Sequence, residues 1–450
     1  MTSPRSKFAS APLIACLVAG AWAPRAVASG FQLREQSPSA QGNAFAGISA
    51  GGEDASGIFF NPAAMTQFQN VQLSLGASYV APVAEFGNGS ATRAPIFQPA
   101  DRTIAGAGSH PNSAKAVPLP VLAAQWALSD SLRLGLTVNA PFGMGTDYHQ
   151  DFLGRYHALK SDLKIVDIAP SLAYRVDDHW SVGVALVARK ATAEISNAVD
   201  FGGIEAAAGI PGGVPGAQDG LAKLKGDKWG YGYRLGVTLQ ATDSLRIGLA
   251  HHAAMNLTLD GTISYSGVPA ILASNFQNGK ATAELNLPST TSLGVSYQAT
   301  EKLTLLGEVA ATDWSRFHEL RVKFQTGQAD SATREDWHDT LFTSLGATWK
   351  LSEVTRLRAG LAYDQGAATD ATRTPRIPDA DRTWVSLGLG HRFCKAFYLD
   401  LGYTHIFEKD SVIGLASGTT PDSLDFYRGN LDGQFKNHID ILALQGRFSF

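Results

Sequence analysis

The chain has 450 residues, 37 Lys plus Arg against 40 Asp plus Glu, a net charge of −3 and only 17% charged residues, below the roughly 25% of soluble domains. That balance carries no polyanion-binding signature and so excludes a nucleic-acid partner. It also argues against the two or three soluble domains that the length alone would suggest. Mean hydropathy is close to zero, and no apolar run reaches the roughly 18 residues that a membrane helix needs. Moderate hydropathy without long apolar runs is what a membrane β-barrel gives, because lipid-facing and lumen-facing residues alternate and average out.

Residues 1–28 read as a secretory signal. Arg5 and Lys7 form the basic start, Ala11–Ala23 is an apolar core too short to span, and Ala26-Val27-Ala28 is a small-x-small cleavage site. Leu13-Ile14-Ala15-Cys16 loosely resembles a lipoprotein box, but the apolar run continues past it and a better site follows. Cleavage leaves Cys394 as the only cysteine. An internal disulfide is then excluded in a compartment that would permit one.

Residues 29–68 are expected to form a plug, or hatch, that a barrel closes around. Ser29–Met65 is rich in Gly, Ala and Ser and shows no strand alternation. Phe59 and Phe60 are followed at once by Asn61-Pro62-Ala63. The proline fixes its own φ and pushes Asn61 out of the α region, which gives a rigid elbow presenting two rings.

Residues 69–450 are expected to be the barrel. A polar turn followed by an alternating strand with a glycine recurs at Asp130, Asp178 and Asp243, and more loosely at Glu301, Glu353 and Lys395. Each interval holds two strands of about ten residues and one long loop. Six turns join twelve strands, and one strand before and one after make fourteen, an even number as in bacterial single-chain barrels. The fold class is therefore all-β: a 14-stranded antiparallel transmembrane β-barrel with an N-terminal hatch in its lumen. Trp126, Trp180, Trp229, Tyr231, Trp314, Trp349 and Trp384 lie near strand ends and suit interfacial girdles. The last strand alternates and ends in Phe450, which resembles the signal read by the outer-membrane assembly machinery.

Two regions break the pattern. After Val138 the third strand continues as Asn139-Ala140-Pro141-Phe142-Gly143. Proline removes a ladder hydrogen bond and glycine weakens the strand, so a kink and a lateral gap are expected there. Residues 201–224 and 265–276 are long loops carrying Ile204, Leu221, Ile271 and Phe276. Apolar patches of this kind mark a binding site. No G-x-S-x-G, phosphate loop or H-E-x-x-H occurs. His251 and His252 fall on opposite faces of a strand and cannot share a metal. No catalytic residue, metal or cofactor is expected, and the chain does not read as an enzyme.

Gly30-Phe31-Gln32-Leu33, Asn61-Pro62-Ala63, Trp229-Gly230-Tyr231-Gly232, Leu285-Asn286-Leu287-Pro288, Asp313-Trp314-Ser315-Arg316-Phe317 and Ile377-Pro378-Asp379-Ala380-Asp381-Arg382 together resemble the outer-membrane long-chain fatty-acid transporters and their relatives that import aromatic hydrocarbons. The resemblance runs from Gly30 to Phe450. It implies passive uptake of a hydrophobic small molecule, captured by a loop groove and released sideways at the kink when the hatch shifts. Gly143 falls where the family's kink glycine does. Phe31, Phe59 and Phe60 are taken as ligand-facing rings. Where the fatty-acid carriers hold the carboxylate with cations, this chain has Asn197 and Thr333, so Arg334 is the expected carboxylate partner. The setting implied is the bacterial outer membrane, with membrane lipid and lipopolysaccharide around a monomer. A diffusion porin would need an open charged lumen, and the hatch segment argues against it. A lipid hydrolase would need a nucleophile beside a histidine, which no spacing demands.

Overall fold

The computed structural model describes residues 30–97, 102–419 and 425–450; the expected signal segment lies outside them. Fourteen antiparallel strands form one closed barrel. They are β1 (Gln72–Thr92), β2 (Val117–Ala127), β3 (Leu132–Asp147), β4 (Lys160–Arg175), β5 (Trp180–Asp200), β6 (Asp219–Thr242), β7 (Leu245–His252 and Met255–Ser266), β8 (Gly279–Leu287 and Thr290–Gln298), β9 (Leu303–Thr312 and Glu319–Phe324), β10 (Ser331–Arg334 and Thr340–Lys350), β11 (Thr355–Asp364), β12 (Arg382–Cys394), β13 (Phe397–Glu408, extended by Ser411–Leu415) and β14 (Asn430–Ser449). β14 pairs with β1 from Gln72↔Ser449 to Thr92↔Asn430. Closure leaves no edge whose backbone groups hydrocarbon could not satisfy. The six repeated turns precede β3, β5, β7, β9, β11 and β13.

Alternation sorts the strands into two faces. On β4, Val166, Ile168, Leu172 and Tyr174 are exposed outward, while Asp167, Ala169, Ser171 and Ala173 are buried inward. Several strands are longer than the apolar alternation marks. β5 and β6 stay paired from Trp180↔Leu239 out to Asp200↔Asp219, with Lys190, Lys225 and Lys228 on the far part. The barrel thus rises past its lipid-facing band into a charged collar.

β7 to β10 are interrupted at one level. His252, Thr290, Thr312 and Thr340 pair in a row across these strands, and the breaks follow directly after them. The breaks in β9 and β10 carry Trp314, Phe317 and Trp337, all buried. Trp314 is therefore a lumen residue and not a girdle one, and so is Trp384, which is also buried. Trp126, Trp180, Trp229, Tyr231 and Trp349 face outward as expected.

Residues 30–68 lie inside the barrel as a short helix (Pro38–Gln41) and three turns of 3-10 helix. The glycine in the repeated strand motif has a use here. A Cβ on Gly248 would stand 1.8 Å from the Ser49 carbonyl oxygen, one on Gly360 2.2 Å from the Asn43 carbonyl carbon, and one on Gly183 2.4 Å from the Ala63 nitrogen. Only glycine lets the hatch backbone lie this close to the wall.

Candidate binding cavity and its exits

The hatch fills the lower lumen through polar contacts. Asn61 is fully buried and extended (φ −146°), as the following proline requires. Its Nδ2 donates to the carbonyls of Ser49 (2.6 Å) and Val237 (3.1 Å), and its Oδ1 accepts from the Ala63 N–H at 2.9 Å. Asn61 thus ties two hatch turns to β6. Glu53 receives Arg356 (2.5 Å) and Arg358 (2.8 Å), and Arg358 also reaches Asp400 at 2.9 Å. Arg447 donates to the Glu53 carbonyl at 2.7 Å. Asp54 accepts from Ser39 (2.6 Å), Ser74 (3.1 Å) and Gln445 (3.0 Å). Asp54 and Glu53 thereby fix the hatch to β1, β11 and β14.

The elbow buries Phe59 and Phe60 in a cluster shared by hatch and barrel wall, and neither ring lines the cavity or the vestibule described below. Phe59 packs on His252 (5.3 Å between ring centres) under the Arg234 guanidinium, and Phe60 packs on Phe45 (5.8 Å). His251 lies on the other face, against Thr291.

β3 behaves as its sequence suggests. Its ladder with β2 runs from Arg133 to Val138 and stops. Its ladder with β4 bulges between Asn139 and Phe142. Contact on the β2 side resumes only where Lys115 N–H meets the Gly145 carbonyl at 3.1 Å and Asp147 N–H meets that of Ser113 at 2.8 Å. The start of the hatch occupies the interval. Leu33 N–H donates to the Pro141 carbonyl (2.8 Å) and Gly143 N–H to that of Phe31 (3.1 Å). The Gln36 amide exchanges two hydrogen bonds with the Ala140 backbone. Asn139 is buried, and its amide has no hydrogen-bond partner among the described residues. At Gly143 an added Cβ would touch Leu33 at 3.0 Å.

Phe31 is thereby placed at a junction. Its ring meets Phe142 (6.0 Å), Trp314 (4.8 Å), Phe317 (5.8 Å) and Trp337 (5.7 Å). The strand breaks supply three of these rings and the kink the fourth. Next to Phe31 lies a small cavity, walled by Leu163, Ala193, Leu259, Ala283, Leu285 and their neighbours and almost wholly apolar in its exposed surface.

A larger, open vestibule adjoins it, and Ile195, Leu224, Leu320 and Arg376 border both spaces. Ile204, Ile271 and Phe276 line the vestibule. Leu221 does not; it sits on β6, not on a loop, and packs toward the cluster of Phe86, Phe152 and Leu431.

Arg334 is placed outside both spaces. Its side chain is 68% exposed and paired with Asp336. Two other arginines stand at the vestibule, which sequence spacing did not single out. Arg376, from the loop between β11 and β12, is 5% exposed. It donates to the Lys160 carbonyl (3.3 Å), Ser161 Oγ (3.2 Å), the Ser196 carbonyl (3.4 Å) and Asn197 Oδ1 (3.5 Å). Among the described residues no carboxylate is within ion-pair distance of it. Burial, and next the nearby Arg428, lower its pKa to about 10. Arg428 pairs with Asp425 at 2.9 Å and donates to Thr333 Oγ1 at 2.9 Å. Glu335 lines the inner cavity, accepts from Trp337 Nε1 at 3.1 Å, and is pushed up to about 8 by burial. It is therefore a neutral acid at pH 7.

A family model described as outer membrane protein transport protein (OMPP1/FadL/TodX) matches residues 18–450. The long-chain fatty acid transport protein of Escherichia coli O6:H1 is 28% identical over 422 residues, which cover 89% of this chain and 91% of that one. A crystal structure of a Pseudomonas aeruginosa FadL homologue superposes with a TM-score of 0.82 at 24% identity, covering 94% of this chain and 100% of that one. The Pseudomonas putida toluene transporter TodX superposes with a TM-score of 0.67 at 18% identity, over 93% and 99% of the two chains. Both superpositions bear on the fold alone.

Proposed function

The chain belongs to the OMPP1/FadL/TodX family of outer membrane transport proteins, and on that premise we propose that it takes up hydrophobic compounds passively, long-chain fatty acids by preference, and releases them sideways through its wall. Proteins of this family are transporters and not enzymes, and the bacterial outer membrane is their setting. In this reading the vestibule captures the ligand at its apolar residues Ile204, Ile271 and Phe276. The ligand then passes into the apolar cavity. Each buried CH₂ gains about 0.8 kcal/mol there, a gain that a water-filled pore cannot offer. Movement of the hatch N-terminus withdraws Phe31 from the ring cluster and Leu33 from β3. The interval from Asn139 to Met144, which β2 leaves unpaired, is then open toward the lipid.

One observation carries the reading: Phe31 is both the floor of the apolar cavity and the neighbour of the freed edge of β3. Filling the cavity tests it. Ala283→Trp should cut oleate uptake into proteoliposomes at least tenfold while leaving ion conductance through the hatch unchanged. Uptake equal to that of the wild type would count against the cavity as the route.

A second reading, uptake of monoaromatic hydrocarbons by the same route, is favoured by the four rings around Phe31. Edge-to-face pairing of this kind is worth about 0.5–1.5 kcal/mol per pair beyond burial, and a flat ring could exchange for one of them. Competition separates the two: excess toluene should displace little bound oleate if the fatty acid is the preferred cargo.

A further inference from the structure

The charged collar on the outside of β4, β5 and β6 is unevenly balanced. Alternation turns Lys160 of β4, Lys190 and Glu194 of β5, and Lys223 and Lys225 of β6 to the outer face. That is the face on which Ile168, Leu186 and Tyr231 are exposed nearer the bilayer. Elsewhere on the collar, lysines stand one to one with carboxylates: Lys190 with Asp227, Lys228 with Asp260 at 2.7 Å and Lys323 with Glu284 at 2.7 Å. Glu194 differs. Lys160 (3.0 Å), Lys223 (3.3 Å) and Lys225 (2.8 Å) all converge on it. Three ammonium groups thus share one carboxylate, which leaves two positive charges over. Beside them, an open depression in the outer face is lined by Thr192, Thr262, Thr282 and Lys280 together with Glu194 and Lys225. The other carboxylates at its edge, Asp162, Asp227 and Asp260, each hold a lysine of their own. Lys280 stands opposite Thr262 in the β7–β8 ladder and, among the described residues, has no carboxylate within ion-pair distance.

The height of the cluster selects its ligand. Lys190 lies over the Trp229 ring at 5.7 Å, and Trp229, Tyr231 and Tyr233 run down β6 from there, all exposed, as rings do at a membrane interface. Glu194 is four residues farther up β5 than Lys190. That is ~13 Å along the strand, or ~10 Å along the membrane normal at a tilt of about 40°. A phospholipid head-group layer is only about 5–7 Å deep, so a phospholipid phosphate stays below the triad. A glycolipid whose sugars carry phosphate stands taller and reaches it.

We propose that Lys160, Lys223 and Lys225, with Lys280 and the threonines of the depression, bind the phosphate of a phosphorylated glycolipid of the outer leaflet, whose acyl chains lie down the outer face of β4 to β6. Basic clusters at a membrane surface attract anionic head groups. Each ammonium has three donors and spends only part of them on Glu194, and each threonine hydroxyl can donate to a further phosphate oxygen. The site lies on the outside of the wall, so it rests on the outer-membrane setting and not on the cargo or its exit.

Titrations of the full-length protein in detergent, followed by native mass spectrometry, test this with three probes: bisphosphorylated lipid A, the same lipid enzymatically dephosphorylated, and phosphatidylglycerol. Lipid A should bind at least tenfold more tightly than either of the others. The Lys160→Gln, Lys223→Gln, Lys225→Gln triple variant should weaken lipid A at least tenfold. The same three positions changed to Arg should keep it within threefold, and Lys323→Gln, which breaks a one-to-one pair, within twofold. Unchanged lipid A binding in the triple Gln variant would overturn the site. So would dephosphorylated lipid that binds as tightly as lipid A, a comparison made on wild-type protein alone. Phosphatidylglycerol bound as tightly as lipid A would reduce the cluster to an unselective basic patch and overturn the glycolipid assignment. Unchanged heat-dependent gel migration of the variants shows that the barrel is intact in each case.

Discussion

The lower and upper halves of this lumen are filled by opposite kinds of chemistry. Below, the hatch meets the wall through directional bonds: Glu53 with three arginines around it, Asp54 with four side-chain donors from β1, β14 and the hatch, and Asn61 with four backbone groups. Above, the cavity presents an almost wholly apolar surface from Leu, Ala and Phe side chains, with Asp162, Lys225, Glu335 and Arg376 at its margin. Directional bonds hold one shape in one register. Apolar contact is non-directional and accepts ligands of varied outline. The same cylinder can therefore carry a specific stopper and an unspecific site, one above the other, and the aromatic cluster at Phe31 is the seam between them.

Breaking the lower half should have the largest effect. Glu53→Ala leaves Arg356, Arg358 and Arg447 with only Asp400 among them. Removing one member of a buried ion pair costs about 3–5 kcal/mol, so a sharp rise in single-channel conductance and a lower unfolding temperature are expected. Wild-type conductance would mean that the hatch does not depend on this network. Gly248→Val sharpens the point sterically. Its Cβ would collide with the Ser49 carbonyl, and overpacking costs about 1–3 kcal/mol. A smaller leak is expected, whereas Gly307→Val, which has only Leu345 at 3.8 Å and the Ser344 carbonyl at 4.0 Å nearby, should show none.

The upper half should respond in affinity and not in leak. Glu335 faces Arg376, Arg428 and Asp425; His157 nearby is held down at about 4 by burial and stays neutral. Since burial raises the Glu335 carboxyl to about 8, it is protonated at pH 7 and ionised at pH 9. Ionised, it gives Arg376 an internal counter-charge and repels a carboxylate ligand. Oleate affinity should fall a few-fold from pH 7 to pH 9, methyl oleate affinity should stay flat, and Glu335→Gln should abolish the step. A step that survives in Glu335→Gln would assign it to another group.

The barrel, and the departure of residues 30–68 from strand alternation, were legible in the residues because both depend on local rules. Period-two alternation, the polar turn before each odd strand from β3 onward, and the proline after Asn61 act over a few residues. The interruption at Asn139–Gly143 was legible for the same reason. The cavity was less so. Trp314 looks like any girdle tryptophan, and only the break that follows Thr312 turns it inward. Leu221 looks like a loop residue because β6 outruns its apolar alternation and rises into the charged collar. Arg334 was singled out by its neighbour Thr333, yet alternation on a short strand sends adjacent side chains to opposite faces. Arg376 and Arg428 come from loops distant in sequence, and no spacing rule joins them to Asn197 or Thr333.

The central claim is that cargo leaves beside Pro141 once the hatch N-terminus lets go of β3. The most direct measurement is uptake of labelled oleate by a variant that cannot let go. Gln32 and Phe142 are bridge partners across this contact, so Gln32→Cys with Phe142→Cys, in a Cys394→Ser background, can be locked by oxidation and released by reduction. The account predicts that uptake falls at least tenfold when the same protein is oxidised and returns when it is reduced. Equal uptake in the two states would contradict lateral release.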